Sequence, residues 1–282
     1  MSQLPKIPFA SVDATSKCPL RCPHCYYYRI EPDGPDLEEE SFLETLKVWK
    51  GATGADCMLW LGGEPFLRPR LVAEGARLFR RNAAFTSGLV PIPDAFDGGV
   101  AVSLDGPPPL NDALRGGGGF EKVLANTDGG RGRIFHCTLM EANWKAAGRL
   151  TTLLHRQEAA GVLFGLYSPR LGEDGGFSLD RAARAAAVAS LRRLREEYGG
   201  FLLNTPASLG LMENLGAPSA RCLYRRGAAI ALDHRLREKR PCSYGEGVDC
   251  SQCGCAALFL RVAAEDGDAA SRDVLSALFR RR

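Results

Sequence analysis

"KCPLRCPHCYYY", residues 17–28, gathers Cys18, Cys22 and Cys25 into eight positions with the spacing C-x3-C-x2-C. Soft thiolates held this tightly select zinc, copper(I) or an iron–sulfur cluster. A structural zinc ion asks for four closed ligands, and this stretch offers three. His24, the immediate neighbour of Cys25, is poorly placed to reach the same tetrahedral ion. A [4Fe–4S] cluster ordinarily takes four cysteines, so three leave one iron open to a small molecule. A zinc loop and three incidental core thiols remain the alternatives at this point.

Outward from this loop, the other cysteines are unevenly placed. Cys222, Cys242, Cys250, Cys253 and Cys255 form a second group, and only Cys57 and Cys137 stand between the two. The opening "MSQLPKIPFA" lacks the apolar core of a signal peptide, and no apolar run approaches the roughly 20 residues that span a bilayer. The cytoplasm is therefore the expected compartment, with no membrane partner. Thiols stay reduced there, so two cysteine groups read as two metal sites rather than as disulfides. A chain of 282 residues can bury one large core, with or without a small annex. Its net charge of +3, with arginines scattered along helices, makes a nucleic-acid partner unlikely. The terminal Arg280–Arg282 read as a solvated tail.

Between the cysteine groups, strand and helix signals alternate. Strands are expected at about 7–15, 56–61, 83–86, 99–104, 133–140 and 162–167. Helices are expected at about 38–50, stopped by Gly51, then at 69–81, 119–127, 143–160 and 180–198. The run "GGGG" at 116–119 reads as a loop. Such repeats imply a parallel sheet with right-handed crossovers, either doubly wound or an incomplete barrel. After residue 205 the pattern breaks into a hairpin, with strands near 227–232 and 235–240 turning at Asp233-His234. Cys57 and Cys137 read as small core residues. The helical face of Val274, Leu275, Leu278 and Phe279 is expected to pack on the body or on a partner.

The first cysteine loop resembles that of the radical S-adenosylmethionine (SAM) enzymes, whose signature is C-x3-C-x2-C after the first barrel strand. The resemblance covers about residues 8–170 and implies an α/β fold, a partial (β/α)6 TIM-like barrel, over 1–205. It implies a [4Fe–4S] cluster on Cys18, Cys22 and Cys25 whose open iron chelates SAM. Reduction then cleaves SAM to a 5′-deoxyadenosyl radical that takes a hydrogen atom from substrate. Related enzymes place an aromatic residue before the third cysteine; here His24 stands there. "LGGEPFL" at 61–67 looks like the SAM-amino motif of the family, giving Gly62, Gly63, Glu64 and Pro65 as cofactor-binding candidates. "TSG" and "SLDGP" make Ser87, Ser103 and Asp105 candidates for the SAM ribose and carboxylate. Asn143 is a cofactor candidate or a helix cap. Independently of these motifs, all except Asn143 fall just after predicted strands, at the sheet edge where α/β proteins bind ligands.

The second group resembles the auxiliary-cluster domains called SPASM and Twitch, and 206–282 is expected to be such a small, hairpin-containing cluster-binding domain. Five cysteines fully supply one further [4Fe–4S] cluster at most. By resemblance, Cys222, Cys242, Cys250 and Cys253 are its ligands. Cys255 then replaces Cys253, donates a hydrogen atom to a substrate radical, or does neither. A structural zinc knuckle is the alternative. The expected activity is oxidation or epimerisation at an unactivated C–H bond, with electrons from a flavodoxin- or ferredoxin-type donor. About seventeen residues precede Cys18, too few for a leader-binding domain, which tilts the expected substrate toward a sugar, aminocyclitol or similar small molecule. A ribosomally made peptide is the close alternative, and a non-catalytic zinc or iron–sulfur scaffold is the reading of another class.

Overall fold

Strand side chains alternate between the two faces of a sheet, and in this chain both faces are covered, by different parts of the sequence. The structure, a computed structural model, describes residues 8–30, 32–116, 119–173 and 175–279. The terminal arginines, residue 7 of the first expected strand and Gly117–Gly118 of the glycine run lie outside these. In chain order the elements are β1 (Phe9–Asp13), α1 (Glu39–Thr53), β2 (Cys57–Leu61), α2 (Pro69–Ala76), β3 (Arg81–Thr86) and β4 (Gly99–Ser103). They continue with α3 (Pro108–Arg115), α4 (Gly119–Asn126), β5 (Ile134–Leu139), α5 (Ala147–Arg156), β6 (Gly161–Leu166) and α6 (Arg181–Tyr198). The last are α7 (Pro206–Met212), α8 (Gly216–Ser219), β7 (Ala229–Leu232), β8 (Glu238–Lys239), α9 (Ala256–Glu265) and α10 (Ala269–Leu278).

The strands form one open sheet in the order β6-β5-β4-β3-β2-β1-β7-β8, parallel except for the β7–β8 hairpin. The architecture is the expected partial barrel, with one addition. The hairpin does not stand apart, because β7 pairs in parallel with β1, from Phe9 opposite Ala229 to Val12 opposite Leu232. Its turn is also wider than Asp233-His234 alone, since β8 begins only at Glu238.

One face of the sheet carries Ala10, Val12, Met58, Trp60, Val102, Phe135, Phe164 and Leu232, packed against the crossover helices through Phe42, Leu71, Val123, Leu150 and Leu191. Cys137 belongs to this core, as expected. The opposite face carries Phe85, Ala101, Ile134 and Leu163, covered by Leu260, Val274, Leu275, Leu278 and Phe279. The apolar stripe of α10 therefore packs on the body of its own chain. His136 and Thr138, alternating with Cys137, take this second face; the His136 ring meets Phe85 edge-on at 5.2 Å.

Several elements differ from expectation for local reasons, and α3 is a helix the sequence reading did not expect. Helix α1 runs through Gly51 to Thr53, because its left-handed C-cap is Gly54 at φ 68°. Helix α2 ends at Ala76, since Arg81 already starts β3, and Pro65 opens a separate short 3-10 turn instead. Helix α3 follows Pro107 with Pro108 and Pro109 in its first turn, where proline's missing N–H costs nothing. Gly119 of the glycine run starts α4 rather than lying in a loop.

The fit of α10 against β4 gives a test. A Cβ on Gly99 would overlap the backbone carbonyl of Leu278. Gly99→Val should cost about 1–3 kcal/mol by overpacking, lowering the thermal midpoint by roughly 3–8 °C. Limited proteolysis should then release the C-terminal helix first; an unchanged midpoint and digestion pattern would refute this packing.

Candidate functional site

The cysteine loop follows β1, and a second loop is laid directly on it. Backbone N–H groups of Gly63 and Glu64 donate to the carbonyls of Thr15 and Lys17, at 2.9 and 2.8 Å. This closeness explains the glycines. A Cβ on Gly62, whose φ is 120°, would come within 2.6 Å of the Thr15 carbonyl, and one on Gly63 would overlap that of Lys17. Glu64 is fully buried. One carboxylate oxygen accepts from Phe66 N–H at 3.2 Å and the Thr86 hydroxyl at 2.8 Å; the other accepts from the Ser87 N–H at 2.7 Å and its hydroxyl at 2.6 Å. The carboxylate thus joins the loops after β2 and β3, with Pro65 buried beside it.

Asp105, after β4, joins the next two. Its carboxylate accepts from His24 Nε2 at 3.0 Å, from Arg115 at 2.7 Å and from the Thr138 N–H at 2.9 Å. Burial alone would raise its pKa, but the Arg115 charge and the His24 hydrogen bond outweigh that and hold it well below the usual carboxylate range. Asn143 does not cap the helix it precedes. Its amide donates to the carbonyls of Asp105 and Thr138, both at 2.9 Å, and accepts from Met140 N–H at 2.7 Å. Ser103 is half-buried at the end of β4, in register with His136. Burial lowers the His136 pKa to about 4, so its ring is neutral near pH 7.

Cys18, Cys22 and Cys25 come together at this end of the sheet, within electrostatic reach of one another. Burial pushes the Cys18 thiol up to about 11, so metal binding there must displace a proton. Among the described residues, no three His, Cys, Asp or Glu side chains converge on a point that one metal ion could occupy. Three thiols on one loop are the donor set that a [4Fe–4S] cluster with one open iron would take. The His24 Nδ1 atom is buried with no partner among the described residues, a vacancy that a polar ligand atom beside the cluster loop would fill.

Two features were given no role by the sequence reading. Arg115, on α3, carries its charge to Asp105 beside Cys22 and Cys25. The fragment "LRGGGG" holds this arginine, but its direction depends on α3. The second feature is a buried ion pair, Lys239 to Asp13 at 2.6 Å, with the ammonium 5.8 and 5.5 Å from the ring centroids of Tyr26 and Tyr27. Its partners are 226 positions apart, and only the β1–β7–β8 pairing unites them. Burial raises the Asp13 pKa to about 6 despite Lys239. Asp13, Tyr27, His234, Arg237 and Lys239 line a cavity of about 680 Å³.

The five later cysteines also come together. Cys222, Cys242, Cys253 and Cys255 are mutual electrostatic neighbours, while Cys250 reaches Cys222 and Cys242. Tyr244 links the two groups: its ring meets that of Tyr26, next to Cys25, at 5.0 Å, and it lies within electrostatic reach of Cys255.

Residues 12–138 match the Radical SAM superfamily. A curated protein, pre-heme d1 synthase of Dinoroseobacter shibae, is 35% identical over 123 residues, covering 39% of this chain but only 30% of that one. Native anSMEcpe with bound AdoMet and Cp18Cys peptide superposes with a TM-score of 0.64 at 15% identity, over 96% of this chain and 82% of that one. Streptococcus suis SuiB bound to precursor peptide SuiA gives 0.61 at 13%, over 97% and 65%. At such identities the structural likenesses establish the fold.

Two outcomes follow from these charges. Arg115→Met leaves the Asp105 carboxylate buried with His24 as its remaining side-chain partner, and should destabilise the protein by roughly 3–5 kcal/mol in denaturant titration. Asp13, with a raised folded-state pKa, takes up its proton in the folded state before the unfolded one. Its contribution to stability therefore falls as pH rises from about 4 to about 6. Relative to wild type, Asp13→Asn should gain roughly 2–3 kcal/mol across that window; a pH-independent difference would contradict the assignment.

Proposed function

We propose, for a chain whose residues 12–138 match the Radical SAM superfamily, that it abstracts a hydrogen atom from an unactivated C–H bond of a compact, polar biosynthetic intermediate, and oxidises or epimerises that carbon. The family's [4Fe–4S] cluster and SAM supply the 5′-deoxyadenosyl radical. One observation carries the reading: a three-thiol loop, clamped by Gly62–Gly63, carries a buried His24 Nδ1 with no partner among the described residues.

The residues divide the work. Cys18, Cys22 and Cys25 hold the cluster, leaving one iron for SAM. Gly62, Gly63, Glu64 and Pro65 form the cradle for the SAM amino group. Four donors already occupy the Glu64 carboxylate, so it orders this cradle and fixes Ser87. His24, Ser103, Asp105 and Asn143 line the remaining SAM surface. Arg115, whose guanidinium has donors beyond the one given to Asp105, suits the SAM carboxylate.

The substrate occupies the cavity beside Asp13 and Lys239, whose volume of about 680 Å³ is that of a small-molecule site. Its charged lining favours a hydroxylated or amino-bearing ligand such as a sugar or aminocyclitol. The unit 206–282 carries an auxiliary [4Fe–4S] cluster that accepts an electron from the substrate radical, and a flavodoxin- or ferredoxin-type protein supplies reducing electrons. A second reading is maturation of a ribosomal peptide. The edge strand β8 beside this cavity can receive an extended peptide, and the anSMEcpe and SuiB structures hold peptides.

The test is anaerobic turnover with SAM and reductant, reading 5′-deoxyadenosine. Aminocyclitols and sugars should stimulate its formation in the native protein and leave the Cys18/Cys22/Cys25→Ala variant silent. Stimulation by short peptides alone would establish the second reading. No deoxyadenosine under any condition would leave a non-catalytic metal scaffold.

A further inference from the structure

The reading of 206–282 as an auxiliary-cluster unit leaves five cysteines for four ligand positions, and the resemblance to Twitch domains leaves Cys255 as the surplus. The backbone around Cys253–Cys255 points elsewhere. Gly254 is clamped on both sides: its N–H donates to the Ser168 hydroxyl at 2.9 Å, and its carbonyl accepts from Leu166 N–H at 2.9 Å. A Cβ there would overlap the Leu166 carbonyl. Cys253 and Cys255 flank this fixed residue in extended conformations, at φ −61°, ψ 121° and φ −61°, ψ 111°. Cys253 and Cys255 are thus held on either side of a residue pinned to the end of β6, and Cys255 is the foremost charged neighbour of Cys253.

Cys250 lies in a different local structure. It opens a short 3-10 turn, Cys250–Gln252, capped by the Asp249 carboxylate through Ser251 N–H. The other residues of that turn, Ser251 and Gln252, are exposed. Its nearest charged neighbours are Arg225, Cys222 and Asp249. The two buried tyrosines that wall the group make the same division. Tyr244 faces Cys255, Cys253 and Cys242; Tyr224, anchored to Ser11 at 2.9 Å, faces Cys242, Cys255 and Cys222.

We infer that the auxiliary cluster is held by Cys222, Cys242, Cys253 and Cys255, and that Cys250 is the surplus thiol. Cys255, as a ligand, is then no hydrogen-atom donor to substrate. Each of the four thiols gives up its proton on binding iron. Cys250, half-buried on a turn whose other residues are exposed, is left free for alkylation. This rests on the presence of the auxiliary cluster, and the experiment separates the two claims.

The anaerobically reconstituted native chain should hold about eight irons. Cys222→Ala, Cys242→Ala, Cys253→Ala and Cys255→Ala should each fall to about four and retain the first cluster's electron paramagnetic resonance signal, which reports that they fold. Cys250→Ala should keep about eight. In the unsubstituted, cluster-loaded protein, iodoacetamide followed by peptide mass mapping should label Cys250 and spare the other four. Labelling of Cys255 with protection of Cys250, or loss of four irons from Cys250→Ala, would overturn the assignment while leaving the auxiliary cluster intact. About four irons in the native chain, all lost from a Cys18/Cys22/Cys25→Ala variant, would remove the auxiliary cluster itself.

Discussion

Two adjacent residues without side chains, Gly62 and Gly63, let one loop lie on the backbone of another, and the candidate site is assembled from that contact outward. The hydrogen bonds to Thr15 and Lys17 fix the start of the cysteine loop against the end of β2. Glu64, held in place by the same contact, then reaches Thr86 and Ser87 at the end of β3. Any larger residue at position 63 would lift one loop off the other. The chain thus trades backbone freedom in the unfolded state, which glycine makes expensive to lose, for a closeness that no other residue permits.

A second constraint is electrostatic. Burying Asp105 next to the cysteine loop is unfavourable unless the charge is matched, and His24, Arg115 and Thr138 match it from three separate segments. The network therefore specifies where α3 and the loop after β5 sit relative to the thiols. Asp13 and Lys239 do the same on the other side, tying the barrel's first strand to the hairpin's edge. Preorganised donors and charges of this kind lose little freedom when a ligand arrives.

Much of this was legible in the sequence because the informative patterns are local. The cysteine spacing, the paired glycines and the apolar run at 133–140 each report on a few consecutive residues. The eventual roles were less legible. Glu64 reads as a ligand for an ammonium group, yet the fold gives all of its acceptors to chain donors. The pairings of Arg115 and Lys239 were not legible because their partners lie 10 and 226 positions away, distances that the fold sets. The hairpin was recognisable from its turn, but its parallel pairing with β1 is a long-range contact without a sequence signature. The choice among the five later cysteines is likewise not legible from spacing, since the clamp on Gly254 comes from Leu166 and Ser168.

The central claim is that three cysteines hold a cluster with one open iron for SAM, in a chain that carries a second, fully ligated cluster. Electron paramagnetic resonance of the reduced, reconstituted protein with and without SAM tests it most directly. The account predicts two cluster signals, one altered by SAM and the other unmoved. A single signal, or two that are both indifferent to SAM, would contradict it.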